Sequence, residues 1–204
     1  MLVRTSKTHP LIINEISLPE CQAVLGITFC PGKKDRQSRT GIWDRDLDAD
    51  MTAIKDWGAT NLVTLMEDHE FDQLGVHQLP YTAMEKGLTW FHLPIRDESI
   101  PDFRFHERWP GIGLRLMTSL AGGERVVIHC RGGLGRSGIV AALLLIEAGM
   151  GSKDAVDLVR QARPGAIETV QQEAYVRGYR PMLPVDHAMT GQYRLQFNFK
   201  GGTP

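Results

Sequence analysis

Cysteine is scarce in this chain. Only Cys21, Cys30 and Cys130 occur among 204 residues, too few to staple a small secreted scaffold, which points to reducing surroundings and a cytoplasmic location. Long apolar runs are missing as well. The eight residues Ile139 to Ile146 fall far short of the roughly 20 needed to cross a bilayer, and Met1 to Pro10 hold no apolar stretch of signal-peptide length. Charge imbalance is also absent: 23 basic against 24 acidic side chains leave a net charge of -1, which gives no global attraction to nucleic acid or to an anionic membrane. No repeat or low-complexity segment stands out.

What is present is the ordinary composition of a globular protein, 42% hydrophobic and 23% charged, with enough chain for one α/β domain. Asp46 to Trp57 carries Leu47, Met51 and Ile54 at helical spacing and ends at Gly58; Asn61 to Met66 then reads as a buried strand. A strand at Thr89–Leu93, a helix at about 106–120, a strand from Val126, and helices at 137–149, 153–163 and 168–180 continue the alternation. The expectation is a central, mostly parallel sheet flanked by helices, with the site at the carboxyl ends of its strands.

One segment concentrates the chemistry. Val126-Val127-Ile128-His129-Cys130 reads as a buried strand that runs into Arg131-Gly132-Gly133-Leu134-Gly135-Arg136-Ser137, ahead of the apolar run. The unpaired N–H groups and dipole of the following helix end make an anion site there. Gly132, Gly133 and Gly135 are read as the residues that let successive amides turn inward around phosphate oxygens, whereas Leu134 is expected to keep a negative φ. Cys130 lies at the floor as nucleophile, in a setting of the kind that lowers a thiol pKa to roughly 3.5–7.5. Arg136 offers a planar fork to two phosphoryl oxygens, and Ser137 is placed to donate to the Cys130 sulfur. Arg131 is a further phosphate-binding candidate with a solvated alternative. His129 is read as a scaffold residue that orients the loop through a backbone carbonyl.

His129-Cys130-Arg131-Gly132-Gly133-Leu134-Gly135-Arg136-Ser137, Pro94-Ile95-Arg96-Asp97 with Pro101-Asp102, and Gly165-Ala166-Ile167-Glu168-Thr169 with Gln172 and Tyr175 resemble, in that set, the cysteine-based tyrosine and dual-specificity phosphatases. Within them the resemblance is nearest to the cyclin-dependent kinase-associated phosphatase (cyclin-dependent kinase inhibitor 3) family, over about residues 25–180. It implies a tyrosine-phosphatase-like fold, no cofactor or metal, and a phosphoprotein substrate hydrolysed through a cysteinyl-phosphate. It implies a general acid at Asp97, thirty-three positions ahead of Cys130, with Asp102 and Glu98 as weaker alternatives, and a water-positioning role for Gln172. It places Lys33, Lys34 and Arg36 on the wall of the site as substrate-binding candidates; by themselves these read as a solvated turn.

The chain departs from the family at two places. Glu98 and Ser99 stand where relatives tend to carry glycine, which stiffens the acid loop and adds negative charge. Glu168 stands where glutamine is common, and reads as a first-turn helix carboxylate. The resulting partition is an N-terminal extension over 1–24, a catalytic domain over 25–180 and a tail over 181–204. In the tail, Tyr193, Leu195, Phe197 and Phe199 alternate with polar residues, as in an edge strand or a self-association segment. Two rival readings stay open at this point: a phosphatase of a small phosphorylated metabolite or phosphoinositide, and a phosphate-binding adaptor.

Overall fold

A computed structural model of the chain describes residues 3–17, 23–38 and 40–183. Its strands are β1 (Val3–Arg4), β2 (Asn14–Ser17), β3 (Val24–Phe29), β4 (Lys34–Asp35), β5 (Ile42–Asp44), β6 (Ala59–Thr64), β7 (Thr89–His92) and β8 (Arg125–Cys130). Its helices are α1 (Leu47–Asp56), α2 (Asp68–Leu74), α3 (Leu79–Glu85), α4 (Phe103–Ala121), α5 (Gly135–Glu147), α6 (Ser152–Ala162) and α7 (Val170–Gly178).

The main sheet has the order β2-β3-β8-β6-β7. Strands β3, β8, β6 and β7 run parallel, and β2 pairs antiparallel at the edge, so the sheet is mixed. Strand β8 is central because Val126, Val127 and Ile128 are fully buried and offer an apolar side chain to both faces, the pattern of a covered parallel strand. Val126, Ile128 and Cys130 join the core with α4, α5, α6 and α7, whereas Val127 joins Met51, Ile54, Phe71, Leu74 and Leu79 on the other face. Alternation along one strand thus aims Cys130 toward α5. Among the described residues no helix is long and apolar enough to cross a membrane.

Residues 3–17, expected as an extension, are built into the fold. Strand β2 completes the main sheet, and β1 joins β5 and β4 in a second, small sheet that the periodicity of the sequence did not reveal. The reason is length: two- and three-residue strands leave no period to read. The tail alternation at Tyr193–Phe199 lies outside the described residues.

The segment leading to the small sheet is pinned by a buried ion pair. Arg45 Nε and Nη2 donate to Asp50 at 2.7 and 2.8 Å, Arg45 Nη1 donates to the His9 carbonyl at 2.6 Å, and Asp50 also accepts from Gly32 N at 2.8 Å. Removing one partner of such a pair strands the other charge. Asp50→Ala is therefore expected to destabilise the fold by about 3–5 kcal/mol, read as a shift in the urea midpoint at constant slope; a shift below about 1 kcal/mol would remove the pair from the framework.

Candidate active site

The loop from Cys130 to Arg136 wraps over the N-terminus of α5, which begins at Gly135, two residues earlier than the sequence suggested. Gly133 N donates to Cys130 Sγ at 3.2 Å, and the Ser137 hydroxyl lies 3.5 Å from the same sulfur. The hydroxyl expected beside the nucleophile is therefore there. Leu134 caps α5 with φ -130°, negative as expected.

Of the three glycines, only Gly133 takes a positive φ, +69°, and a Cβ there would collide with the backbone of Thr28 and Phe29 at about 2.5 Å. Gly135 has an ordinary φ and is demanded by contact instead. A Cβ at Gly135 would lie 2.6 Å from Glu168 Oε2 and 2.8 Å from the Gln172 amide. Gly132 meets neither constraint, a correction to the reading of three equivalent hinges.

Arg136 is buried to 1% exposure. Glu70 grips its two terminal nitrogens, Nη1 at 2.5 Å and Nη2 at 2.9 Å, while the Ile95 carbonyl accepts from Nη1 at 3.1 Å. Arg136 Nε is left without a partner. Bidentate support on one edge with an orphaned donor on the other is a fork held ready for an oxyanion. Glu70 was not a candidate in the sequence; its signal was its place three residues after Glu67, whose backbone N–H it accepts at 2.8 Å in a capping box.

Asp97 lies on the loop after β7, half exposed, with Oδ1 2.8 Å from Arg136 Nη2. The expected acid is thus brought to the cradle, resting on the group that a phosphoryl oxygen would take. Glu98 adopts φ +55°, a region cheap for glycine and strained by about 1–3 kcal/mol for other residues, which is the cost of lacking the family's glycine. Glu98 borders the cleft without bonding the cradle. Asp102 is elsewhere: it caps α4, accepting from Arg104 N and Phe105 N, and its hydrogen bond from the Arg104 side chain holds it below the usual carboxylate range. That removes it as a competing acid.

Glu168 corrects a second expectation. It lies outside α7, whose cap is Thr169, and its Oε2 accepts from Gly135 N at 2.8 Å. A carboxylate therefore occupies one amide of the anion cradle. Preceding it, Ile167 has φ +56°, an outlier for a β-branched residue. Its N–H reaches the Leu134 carbonyl at 3.4 Å, and Arg160 Nη2 holds its carbonyl at 3.0 Å. Gln172, fully buried, reciprocates the Thr169 cap and donates to the Ser99 carbonyl at 3.1 Å, which joins α7 to the acid loop beside the cradle.

His129 is scaffold, but its partner is a hydroxyl and not a carbonyl. Its Nε2 is 2.7 Å from Thr64 Oγ1, which also accepts from Trp90 Nε1 at 2.8 Å. Burial pushes its pKa down to about 3, so the ring is neutral. Arg163, missed in the sequence, donates to the carbonyls of Gly133 and Gly132 at 3.0 and 3.3 Å and braces the back of the loop.

The basic segment divides. Lys33 is only 5% exposed, its ammonium 4.3 Å from the Trp43 ring and 4.7 Å from the Phe29 ring, and burial lowers its pKa to about 8; it borders the cleft that holds Gly132, Leu134 and Asp97. Lys34 and Arg36 border a neighbouring depression instead, which corrects the expectation that all three share one wall. Arg131, expected on phosphate, pairs with Asp35 at 2.9 Å and separates the two hollows.

The family model described as the Swiss Army Knife protein DSP-PTPase phosphatase domain matches residues 42–176. Cyclin-dependent kinase inhibitor 3 of Mus musculus is 31% identical over 170 residues, 82% of this chain and 77% of that relative. Protein tyrosine phosphatase type IVA 3 of Homo sapiens is 36% identical over 129 residues, 63% of this chain and 68% of that relative. Among solved structures, kinase associated phosphatase with its catalytic-site cysteine replaced by serine superposes with a TM-score of 0.72 at 28% identity, covering 90% of this chain and 96% of that one.

A phosphoryl oxygen directed at Gly135 N–H would meet the Glu168 carboxylate already bonded there, and two anions so close repel. Glu168→Gln keeps the acceptor and removes the charge. It is expected to tighten competitive inhibition by orthophosphate several-fold, about 1 kcal/mol, in steady-state assays; an unchanged inhibition constant would mean the carboxylate is merely a cap.

Proposed function

The chain belongs to the DSP-PTPase family of cysteine-based protein phosphatases, and from that membership we propose how its own residues carry out phosphomonoester hydrolysis. The observation that carries the reading is the Cys130 sulfur held by Gly133 N and Ser137 Oγ at the mouth of α5, with Arg136 Nε unpartnered beside it.

A phosphoryl group seated in the cradle takes the amides at the α5 end and the Nε–Nη2 edge of Arg136. It displaces the Asp97 carboxylate from Nη2 and leaves Asp97, in its protonated form, at the leaving-group oxygen. The Cys130 thiolate attacks phosphorus, the P–O bond to the substrate breaks, and Asp97 gives its proton to the departing oxygen. Water then attacks the cysteinyl-phosphate, Asp97 takes back a proton, the S–P bond breaks, and Ser137 donates to the leaving thiolate. Charge spreading over the equatorial oxygens is met by Arg136, whose geometry Glu70 has already fixed. Gln172, anchored on the acid loop, is the polar group available to orient the water.

The substrate in this reading is a phosphoprotein, as the phosphatase relatives suggest, with the catalytic domain over 25–180 and the segment 1–24 contributing strands. Two free buried thiols, Cys30 and Cys130, support the cytoplasm as the compartment; self-association through the tail remains part of the proposal.

Cys130→Ser is expected to abolish release of phosphate from p-nitrophenyl phosphate without changing the unfolding transition. Asp97→Asn is expected to lower kcat by about 100- to 1,000-fold for a phosphopeptide and to remove the limb of the pH–rate profile that reports the acid. Turnover surviving Cys130→Ser would overturn the mechanism, and kcat unaffected by Asp97→Asn would remove Asp97 from it.

A further inference from the structure

The mechanism uses one wall of the cleft and leaves the other unexplained. Arg4 stands on β1 of the small sheet, and Lys33 immediately precedes β4. Both are cations directed at the same indole, Lys33 Nζ at 4.3 Å and Arg4 Cζ at 5.2 Å from the Trp43 ring centre. Both border the cleft of about 510 Å³ that also contains Gly132, Leu134 and Asp97.

Among the described residues neither side chain is hydrogen-bonded or ion-paired. For Lys33 this is unusual, because the residue is only 5% exposed, and burial of its stem disfavours the charged form while the side chain borders the cleft. The two aromatic faces offset only part of that cost. The acid two residues on, Asp35, is taken by Arg131. Arg163, another cation of the cleft, already spends its donors on Gly132, Gly133 and Asn14. Lys33 and Arg4 are therefore the cations of this wall with no partner supplied by the described fold.

Register places this pair next to the chemistry. Phe29, one of the two rings beneath Lys33, is the parallel-strand partner of Cys130. The acids of the same cleft are Asp97, Glu98 and Glu168, from the loops after β7 and α6, and Asp35 on β4, which is paired with Arg131; Lys33 and Arg4 add positive charge on the small-sheet side.

We propose that Lys33 and Arg4 form a second anion subsite, which receives an acidic side chain or a second phosphoryl group lying near the phosphorylated residue of a protein substrate. The inference rests on the phosphatase reading above and adds a preference to it: of two otherwise equal phosphopeptides, the one with a neighbouring anion is the better substrate. It also moves substrate recognition away from Lys34 and Arg36, which border the adjacent hollow.

The test is a set of phosphotyrosine peptides that are identical except for alanine, glutamate or phosphoserine within two residues of the phosphotyrosine on either side. Two readouts are taken: kcat/KM with the wild-type chain, and binding to Cys130→Ser by calorimetry. The expected result is an advantage of about tenfold for an anion-flanked peptide over the alanine peptide, the size of one partly screened charge-assisted contact. Lys33→Met, which keeps the packed stem, and Arg4→Gln are each expected to bring that ratio toward one, whereas Lys33→Arg restores it. An advantage for both glutamate and phosphoserine assigns any anion to the subsite; an advantage for phosphoserine alone assigns a second phosphoryl group. A wild-type ratio of one in both readouts, a ratio untouched by Lys33→Met, or stronger binding of a bisphosphorylated inositol headgroup than of every peptide overturns the proposal. Absence of turnover with all peptides and with p-nitrophenyl phosphate overturns the phosphatase reading instead, and the binding ratios still decide the subsite.

Discussion

The site depends on the buried pair between Arg136 and Glu70. An arginine sunk among apolar side chains would be expensive if unpaired, and a flexible guanidinium could present any of five N–H donors. Glu70 resolves both problems by taking one edge of the fork and leaving Nε unpartnered at the cradle. Glu70 is itself held by the Glu67 backbone, Glu67 by Arg104, and Arg104 by the Asp102 cap of α4. The position of Arg136 is thus a property of α2 and α4 as much as of the loop that precedes it.

The resting cradle is already filled with negative charge. Asp97 rests on Arg136 and Glu168 on Gly135 N–H, two carboxylates at positions where phosphoryl oxygens would bind. This follows from the physics of a helix N-terminus with a buried cation: the site attracts whichever anions the fold can supply. Backbone strain accompanies both contacts, at Glu98 next to Asp97 and at Ile167 next to Glu168. Residues in that φ region persist only where surrounding contacts over-determine them, as Arg160 and the Leu134 carbonyl do for Ile167.

The sequence made the main elements legible because their periods are long and unambiguous. Strand β8 and helix α5 are nearly continuous apolar runs, and Asp46 marks the start of α1 by its side chain, whereas the caps Asp102 and Thr169 went unread as caps. It failed where partners are distant or elements short. Lys33 lies in a Gly-Lys-Lys-Asp-Arg run with the composition of a solvated turn, yet residues ten positions later supply the ring that buries it. Glu168 looked like a helix carboxylate because nothing local reveals that Gly135, thirty-three residues earlier, comes within hydrogen-bonding distance. Gly133 and Gly135 looked alike, and only packing shows that one is needed for its φ and the other for the space above it.

By itself the sequence singled out Cys130, Arg136 and Ser137 as candidates, because they lie within eight consecutive residues and their proposed chemistry is carried by local spacing. Together with the resemblance it also offered Asp97 as the candidate acid, which the fold brings to Arg136. Only the tertiary structure decided the state of each charge. Glu70 became the clamp, Asp102 a cap, Arg131 a partner of Asp35, and Lys33 with Arg4 the cations of the wall that are unpaired among the described residues. Charges exert their effect through distance and burial, and neither is encoded in the neighbouring residues of the chain.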